Sequence, residues 1–483
     1  RIWWSLTWPL MVTNFFRQGM ELTDLLVLGH YSNGAYLSKA SYASIVLSSV
    51  LVIISRGMGG GVVRALCSTA YGAGNFKLMG LWLQLALLIT SAVGVLLMPV
   101  WFWGGDLIRA IVGNHAIKPS DSADINLFLR ISLLWMLPRC WNGCLDCFLS
   151  AQKVVFPQML VAGAGFMFNL GTNFALVYGM GLGYPGSPLS TVLSRWCTLL
   201  ALLLLIRSRS SIIHCDSWGG CNFRECTERQ RVTLYLKQAL PAALSGMVEE
   251  YQLQAVAVFA GKLGPQAVAT QNCFMTMLML LCSVMWALSD STTIRLGHHL
   301  GNRSMAGVRC VIKVAGMSAG LWGVLVTGIL TTFKAEIGEA MSSNPDIQQL
   351  AREIAALVGI GFFLLALFYI CMAILTAAFK QHWIVIAFIL GAWGISVPVA
   401  YSLSFHADPH LCTWYPGRLN WDTGPYGHGM GLLGLWFGLA VGYLATTLLA
   451  LTGACRLRWP HVMDDAVRKA EVKVSCTGQQ LLA

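Results

Sequence analysis

Charge is scarce in this sequence: Asp, Glu, Lys and Arg make up 11% of its 483 residues, against roughly 25% in an ordinary soluble domain. With 56% hydrophobic residues and a mean hydropathy of +0.64, it has too little polar material to build a water-facing surface, which excludes a soluble globular fold. The net charge of +11 does not point to nucleic acid, because Lys and Arg are spread through short loops and the two ends instead of forming one basic face. The polar linker lacks paired Cys-x-x-Cys spacing too. His214, Cys215, Cys221 and Cys226 read as loop residues, and Cys140, Cys144, Cys147, Cys197, Cys282 and Cys371 sit in apolar runs as small buried hydrophobes. His406, Asp408 and His410 have metal-ligand side chains but stand beside Pro409 with no partner set, so a solvated loop is expected there. No metal or cofactor is expected.

What the chain does contain is apolar runs long enough to cross a bilayer, about 17 to 25 residues each. They fall at about 7–29, 40–65, 78–103, 126–150, 154–181 and 186–206, and again at about 236–260, 267–295, 308–333, 353–378, 382–404 and 430–454. Continuous runs of this length give helices, whereas a barrel needs shorter alternating strands. The expected fold is an all-α membrane protein of twelve transmembrane helices. Residues 1–206 form an N-lobe, 207–233 a linker, 234–454 a C-lobe and 455–483 a tail. Lys and Arg number about 19 in the loops after even-numbered spans and the tail, against about 7 after odd-numbered ones. Both termini and the linker are therefore expected in the cytoplasm. Asn302-Arg303-Ser304, though it fits the glycosylation pattern, should be unmodified there. The chain opens on Arg1 with an apolar pattern almost at once, so its numbering is expected to start inside a longer chain. Arg17, Glu21 and Asp24 within the first run argue against a cleavable signal.

Six spans per half is an even number, so a duplication would be parallel, its pseudo-two-fold axis along the membrane normal and a cleft between the lobes. Ser68 to Lys77 after the second span and Thr293 to Ser304 after the eighth are both Gly-rich turns containing Gly-Asn; Ala151-Gln152-Lys153 and Phe379-Lys380-Gln381 follow the fourth and tenth. In these same stretches the chain resembles the multidrug and toxic compound extrusion (MATE) family. The similarity lies in Ala65 to Gln84, with Thr69 where Gln is usual, in Phe148 to Pro157, and in Pro241, Glu249-Glu250-Tyr251 and Gly261-Lys262-Leu263-Gly264. It continues in Arg295-Leu296-Gly297 with Leu300-Gly301-Asn302, and in Gly434 to Gly438. The Gly-rich loops suggest the eukaryotic branch.

An ionisable residue near the bilayer centre costs at least about 2.5 to 3.5 kcal/mol and needs a reason to be there. A carboxyl kept from water protonates more readily, so it can exchange a proton near neutral pH. Glu249 and Glu250 lie in the middle of the seventh span with Pro241 one to two turns earlier, and at least one is expected to face a cleft. Pairing with a nearby Arg, or snorkelling, is the alternative. The resemblance selects Glu249 as the proton or cation carrier, and leaves Gln254 with hydrogen bonding only. Asp24 matches a family Asp five residues before Gly29; the resemblance groups it with Asn169 and Asn173, one helical turn apart, and with Thr191. Asn173 stands where a second Asp is often found, so Asp24 lacks a carboxyl partner. No acid occurs from Phe362 to Ala378, near the family's tenth-helix carboxylate, and Asp290 is acidic where the family is usually small or apolar. A Glu249–Asp290 pair is therefore expected, against Asp290 capping a kink or pairing with Arg295. Tyr251, Trp286, Tyr369 and Trp436 are candidate cleft aromatics for an organic cation.

The resemblance implies a secondary active exporter, probing both sides of the membrane by alternating access, that exchanges an organic cation, xenobiotic or metabolite for protons or sodium. Its partners would be that small organic substrate, the coupling ion and the lipid bilayer, with no nucleic acid. A monomer in the plasma membrane or in vacuolar or other endomembranes is expected. Rival readings are a lipid-linked oligosaccharide flippase, which would favour a cationic cavity, and a membrane-embedded enzyme, for which no catalytic cluster is apparent.

Overall fold

The computed structural model describes residues 2–31, 36–112, 118–208, 217, 223–341, 345–405 and 429–470. Its first half runs through α1 (Ile2–His30), then α2 (Leu37–Leu51), which continues by a π-helical stretch (Val52–Gly60) into α3 (Gly61–Gly72). There follow α4 (Phe76–Phe102), a short α5 (Gly104–Val112), α6 (Pro119–Ala151), α7 (Phe156–Phe174) with a π-helical end (Ala175–Gly179), and α8 (Gly186–Ser208). After α9 (Phe223–Cys226) come α10 (Arg229–Leu263), α11 (Pro265–Gly301), α12 (Met305–Thr332), a short α13 (Lys334–Met341) and α14 (Pro345–Ala377). The run of α15 (His382–Ala387), a π-helical stretch (Phe388–Ser396) and α16 (Val397–Phe405) precedes α17 (Gly431–Cys455) and α18 (Trp459–Ala470).

Each of the twelve expected spans is met by one long helical run, usually longer at its ends than the apolar pattern. Hydropathy stops where water begins, but a helix continues wherever its backbone is satisfied: α6 starts at Pro119 ahead of Ser120 and Asp121, and α10 at Arg229. Among the described residues nine runs are long and apolar enough to cross a membrane. The other three long helices are α1, α6 and α10, and these carry Arg17, Glu21 and Asp24; Arg139 and Asp146; and Glu249 and Glu250. Other spans carry charge as well, among them Arg64 on α3, Arg195 on α8 and Asp290 on α11.

By contacts the chain divides into two units: Arg1–Gly246 with Thr293–Val308 and Arg458–Ala483, and Met247–Thr292 with Arg309–Leu457. In the first, α1 packs on α7, α7 on α8, and α6 on both α4 and α8. Ile54, Trp101, Phe128, Trp135 and Met136 fill a core there. In the second, α14 and α16 pack on α17, and Phe368, Leu375, Ile384 and Phe388 form the centre. Cys67, Cys140, Cys144, Cys147, Cys282 and Cys371 are buried free thiols; Cys197, expected to be buried, is exposed on an outer face of α8.

Four turns share one construction. At Gly74, Lys153, Arg303 and Phe379 the backbone takes positive φ, between 51° and 75°. The N–H of each of these residues donates to the carbonyl three residues back, and the next N–H donates to the carbonyl five back. This pair of bonds satisfies the last carbonyls of the preceding helix. Asn75 then accepts from the Leu78 N–H (3.2 Å) and Ser304 from the Gly307 N–H (3.3 Å), each starting the next helix. Gly74 therefore corresponds to Arg303, and Lys153 to Phe379. The shared Gly-Asn dipeptides, Gly74-Asn75 and Gly301-Asn302, are two residues out of register, and so are Ala151-Gln152-Lys153 and Phe379-Lys380-Gln381. Hydrogen-bond geometry, not residue identity, defines the equivalence.

α18 is a helix where the apolar pattern gave no sign of one. Its Val462, Ala466, Val467 and Ala470 are buried, it packs on α3, and its last carbonyl accepts from Asn75 Nδ2 at 2.8 Å.

Candidate functional site

Asp24, Asn169, Asn173 and Thr191 come together in the first unit. α7 sets Asn169 and Asn173 one turn apart and wholly buried. Asn173 Nδ2 donates to Asp24 Oδ1 (3.1 Å) and the Thr191 hydroxyl to Asp24 Oδ2 (2.8 Å). Asn169 Nδ2 in turn donates to Thr191 Oγ1 at 3.3 Å. The bonds run in one direction, amide to hydroxyl to carboxylate, so the network is built around an acceptor at Asp24. Around that carboxylate stand the Asn173 amide, the hydroxyls of Thr191 and Ser187, and the charge of Arg195. Asn173 Oδ1 is buried and accepts nothing among the described residues.

Below this cluster lies a feature the sequence reading missed. Arg17, Glu21 and Asp24 are four and three residues apart on one face of α1. Arg17 pairs with Asp146 of α6, while Glu21 pairs with Arg139 of α6 (2.5 Å) and Arg195 of α8 (3.8 Å). The side chains of Arg17 and Glu21 are 34% and 43% exposed. Charges so exposed in a membrane-spanning helix require water on that face, since lipid cannot solvate them. The spacing was visible in sequence, but only the arginines on α6 and α8 explain how it is tolerated.

In the second unit Glu249 and Glu250 lie on α10. Glu249 Oε1 accepts from the Tyr369 phenol at 2.9 Å, and Glu250 Oε1 from Gln254 Nε2 at 3.3 Å, one turn along. Tyr369 is buried on α14, and its backbone carbonyl accepts from the Ser289 hydroxyl at 3.2 Å. One residue thus joins the Glu249 carboxylate to α11 beside Asp290. Trp286 lies one turn before Asp290 on that helix. Tyr251 is half-exposed, whereas Trp436 is buried in ring contact with Phe274 and is a packing residue. At the tenth long helix, where no acid was found, a phenol serves as the carboxylate's partner. Gln252 donates to Ser396 (3.2 Å), tying α10 to the π-helical stretch.

No group of three or more His, Cys, Asp or Glu among the described residues could hold a metal. His406, Asp408, His410, His214, Cys215 and Cys221 lie outside the described residues.

The chain matches the MatE family over residues 9–175 and 241–402, more than half its length. It is 23% identical over 468 residues to Multidrug and toxin extrusion protein 1 of Xenopus tropicalis, covering 94% of this chain and 74% of that protein. Multidrug resistance protein NorM of Aliivibrio fischeri is 24% identical over 464 residues, 94% and 93% of the two chains. Protein DETOXIFICATION 41 of Arabidopsis thaliana is 20% identical over 492 residues, 100% and 89%. Among solved structures, the eukaryotic MATE transporter AtDTX14 superposes with a TM-score of 0.83 at 16% identity, covering 96% of this chain and 97% of its own. A MOP superfamily transporter from Pyrococcus furiosus superposes with a TM-score of 0.79 at 16% identity, covering 95% and 96%. Twelve long helices in two similar halves, a carboxylate cluster in each, and a family match spanning both lead to one conclusion: the chain belongs to the MatE family of secondary active transporters.

Proposed function

We propose that the protein exports organic cations, xenobiotics or metabolites in exchange for protons or sodium, with Glu249 as the principal carrier of the coupling ion. The observation that carries this reading is the Glu249 carboxylate, held in the middle of α10 by the Tyr369 phenol. A carboxyl so placed binds either a proton or a cationic substrate. Loading from outside then favours release of the substrate, and deprotonation toward the cytoplasm restores affinity, provided the two ligands prefer different states. Asp24, fixed by Asn173 and Thr191, is a second site in which amides replace a carboxyl partner; it assists coupling. Asp290 and Glu250 flank Glu249 in the chemistry of this half, and Gln254, Tyr251 and Trp286 are candidates for substrate contact. The Gly-rich turns favour the eukaryotic branch, and the charge bias favours cytoplasmic termini.

The arginines of the first unit bear on the flippase alternative. Arg17, Arg139 and Arg195 are paired with Asp146 and Glu21, and Asp24 lies in the field of Arg195. With Arg64, also near Asp146, four cations meet three acids. This near-balance favours the exporter over a reading that needs a strongly cationic cavity. The test is uptake into proteoliposomes driven by an imposed pH gradient. Glu249→Gln should abolish it and Asp24→Asn should slow it; undiminished uptake by Glu249→Gln rejects the assignment.

A further inference from the structure

Where α10 begins, a cavity of about 430 Å³ is lined by Arg229, Gln230, Thr233, Leu234 and Lys237 of that helix and by Asp465, Arg468 and Lys469 of α18. Four cationic side chains, one carboxylate and Leu234 line this open recess, whose surface is largely hydrocarbon with the charged groups set around it. Asp465 holds Arg468 (2.6 Å) and Lys469 (2.7 Å) in place. Although partial burial alone would push the Asp465 carboxyl up, Lys469 and Arg468 hold it below the usual carboxylate range, so it remains an anion that organises its two neighbours. Arg229 and Lys237 are exposed, two turns apart on α10. Lys237 stands at the edge of the apolar run of α10, the level at which lipid headgroups lie.

We propose that this cavity binds an anion bearing several phosphate groups, such as the headgroup of a polyphosphorylated inositol lipid. The volume lies in the range of small-molecule sites, roughly 300–1,000 Å³, and far exceeds the need of a single phosphate. Gln230 and Thr233 supply donors for ester or hydroxyl oxygens between the cations. Basic clusters at the membrane boundary are attracted to anionic leaflets, and basic recesses beside transmembrane helices take phosphorylated headgroups. Since α18 also docks on α3, the anion would bridge the start of α10 and the helix that braces the first unit. The inference does not rest on the coupling role of Glu249.

The experiment uses the purified protein in phosphatidylcholine nanodiscs, titrated with dioctanoyl phosphatidylinositol 4,5-bisphosphate and, separately, with inositol 1,4,5-trisphosphate. Saturable binding is expected, weakened at least tenfold in Arg229→Gln/Lys237→Gln with the unliganded thermal midpoint unchanged. Thr233→Glu, which adds a second acid while keeping every cation, should weaken it similarly and serves if the double variant misfolds. Tenfold tighter binding of the lipid than of the trisphosphate assigns the cavity to a membrane headgroup; equal affinities assign it to a soluble polyphosphate. Absence of saturable binding by both probes, or wild-type affinity in the variants, overturns the proposal.

Discussion

Gly72 and Gly301 close on each other's helix reciprocally. A Cβ on Gly72 would meet the carbonyl oxygen of His298 at 2.3 Å, and a Cβ on Gly301 would meet that of Thr69 at the same distance. His298 and Thr69 each lie three residues before their own helix's glycine, so the contact is self-complementary in the manner of a two-fold interface. The obstructing atoms are backbone and cannot turn aside. Gly72→Ala and Gly301→Ala should each lower the thermal midpoint in detergent, by a cost of about 1–3 kcal/mol. Gly143→Ala, where the added methyl meets nothing within 4 Å, should leave it unchanged or raise it. Equal midpoints for all three would refute the contact.

The left-handed turns give a test by sign. Gly74 has φ +75° with open space around it, so Gly74→Ala suffers only the backbone penalty and should lose about 1 kcal/mol. Arg303 occupies the corresponding turn at φ 51°. Arg303→Gly relieves that penalty, offset in part by added freedom of the unfolded chain. Its change in midpoint should be small and positive.

Arg17 and Asp146 pair within the membrane-spanning part of α1 and α6. Asp146→Asn leaves the one-third-exposed Arg17 guanidinium to water without its partner and should cost about 1 kcal/mol. Removing both charges, Arg17→Gln with Asp146→Asn, should recover part of that loss in thermal midpoint and in cell-surface yield, and only part because Asp146 also faces Arg64. A double variant no better than Asp146→Asn would show that the pair does not act as a unit.

Asp106 of α5 accepts from the Ser122 hydroxyl (2.7 Å) and from Asn126 Nδ2 (2.9 Å), and these bonds hold its carboxyl below the usual carboxylate range. Because the folded value is the lower, its contribution to stability is present above the unfolded value near 3.9 and disappears as pH falls through the folded one. Asp106→Asn should therefore be less stable than the wild type at pH 7, with the two melting curves converging as pH falls through the folded value. A gap that persists in acid would assign the effect to packing.

Tyr369→Phe removes the phenol from Glu249 and little else. Since a hydrogen bond to a charged group contributes about 1.5–3 kcal/mol, uptake driven by an imposed pH gradient should fall roughly tenfold while expression is retained. Undiminished uptake would take the phenol out of the coupling step.

Much of this was legible in the residues. Asp24, Asn169, Asn173 and Thr191 were grouped from helical spacing and family likeness, and they share one hydrogen-bond network. Tyr369 ranked only as one aromatic among several, because nothing in a linear pattern shows which ring on α14 will reach Glu249 on α10. The Arg17–Asp146 pair spans a separation of 129 residues and leaves no local signature. The repeats were aligned on Gly-Asn when the equivalent positions were Gly74 and Arg303, residues alike in backbone conformation and unlike in side chain.

The twelve spans follow from the sequence by itself, because hydrocarbon accepts only long apolar runs with internally satisfied backbone, and that demand is written into every stretch of the chain. Which interior charges could be tolerated was decided by the tertiary structure alone. A buried or membrane-facing ion survives only beside a counter-charge or donor in fixed geometry, and here those partners are supplied by helices distant in sequence: α6 and α8 for the face of α1, and α14 for Glu249.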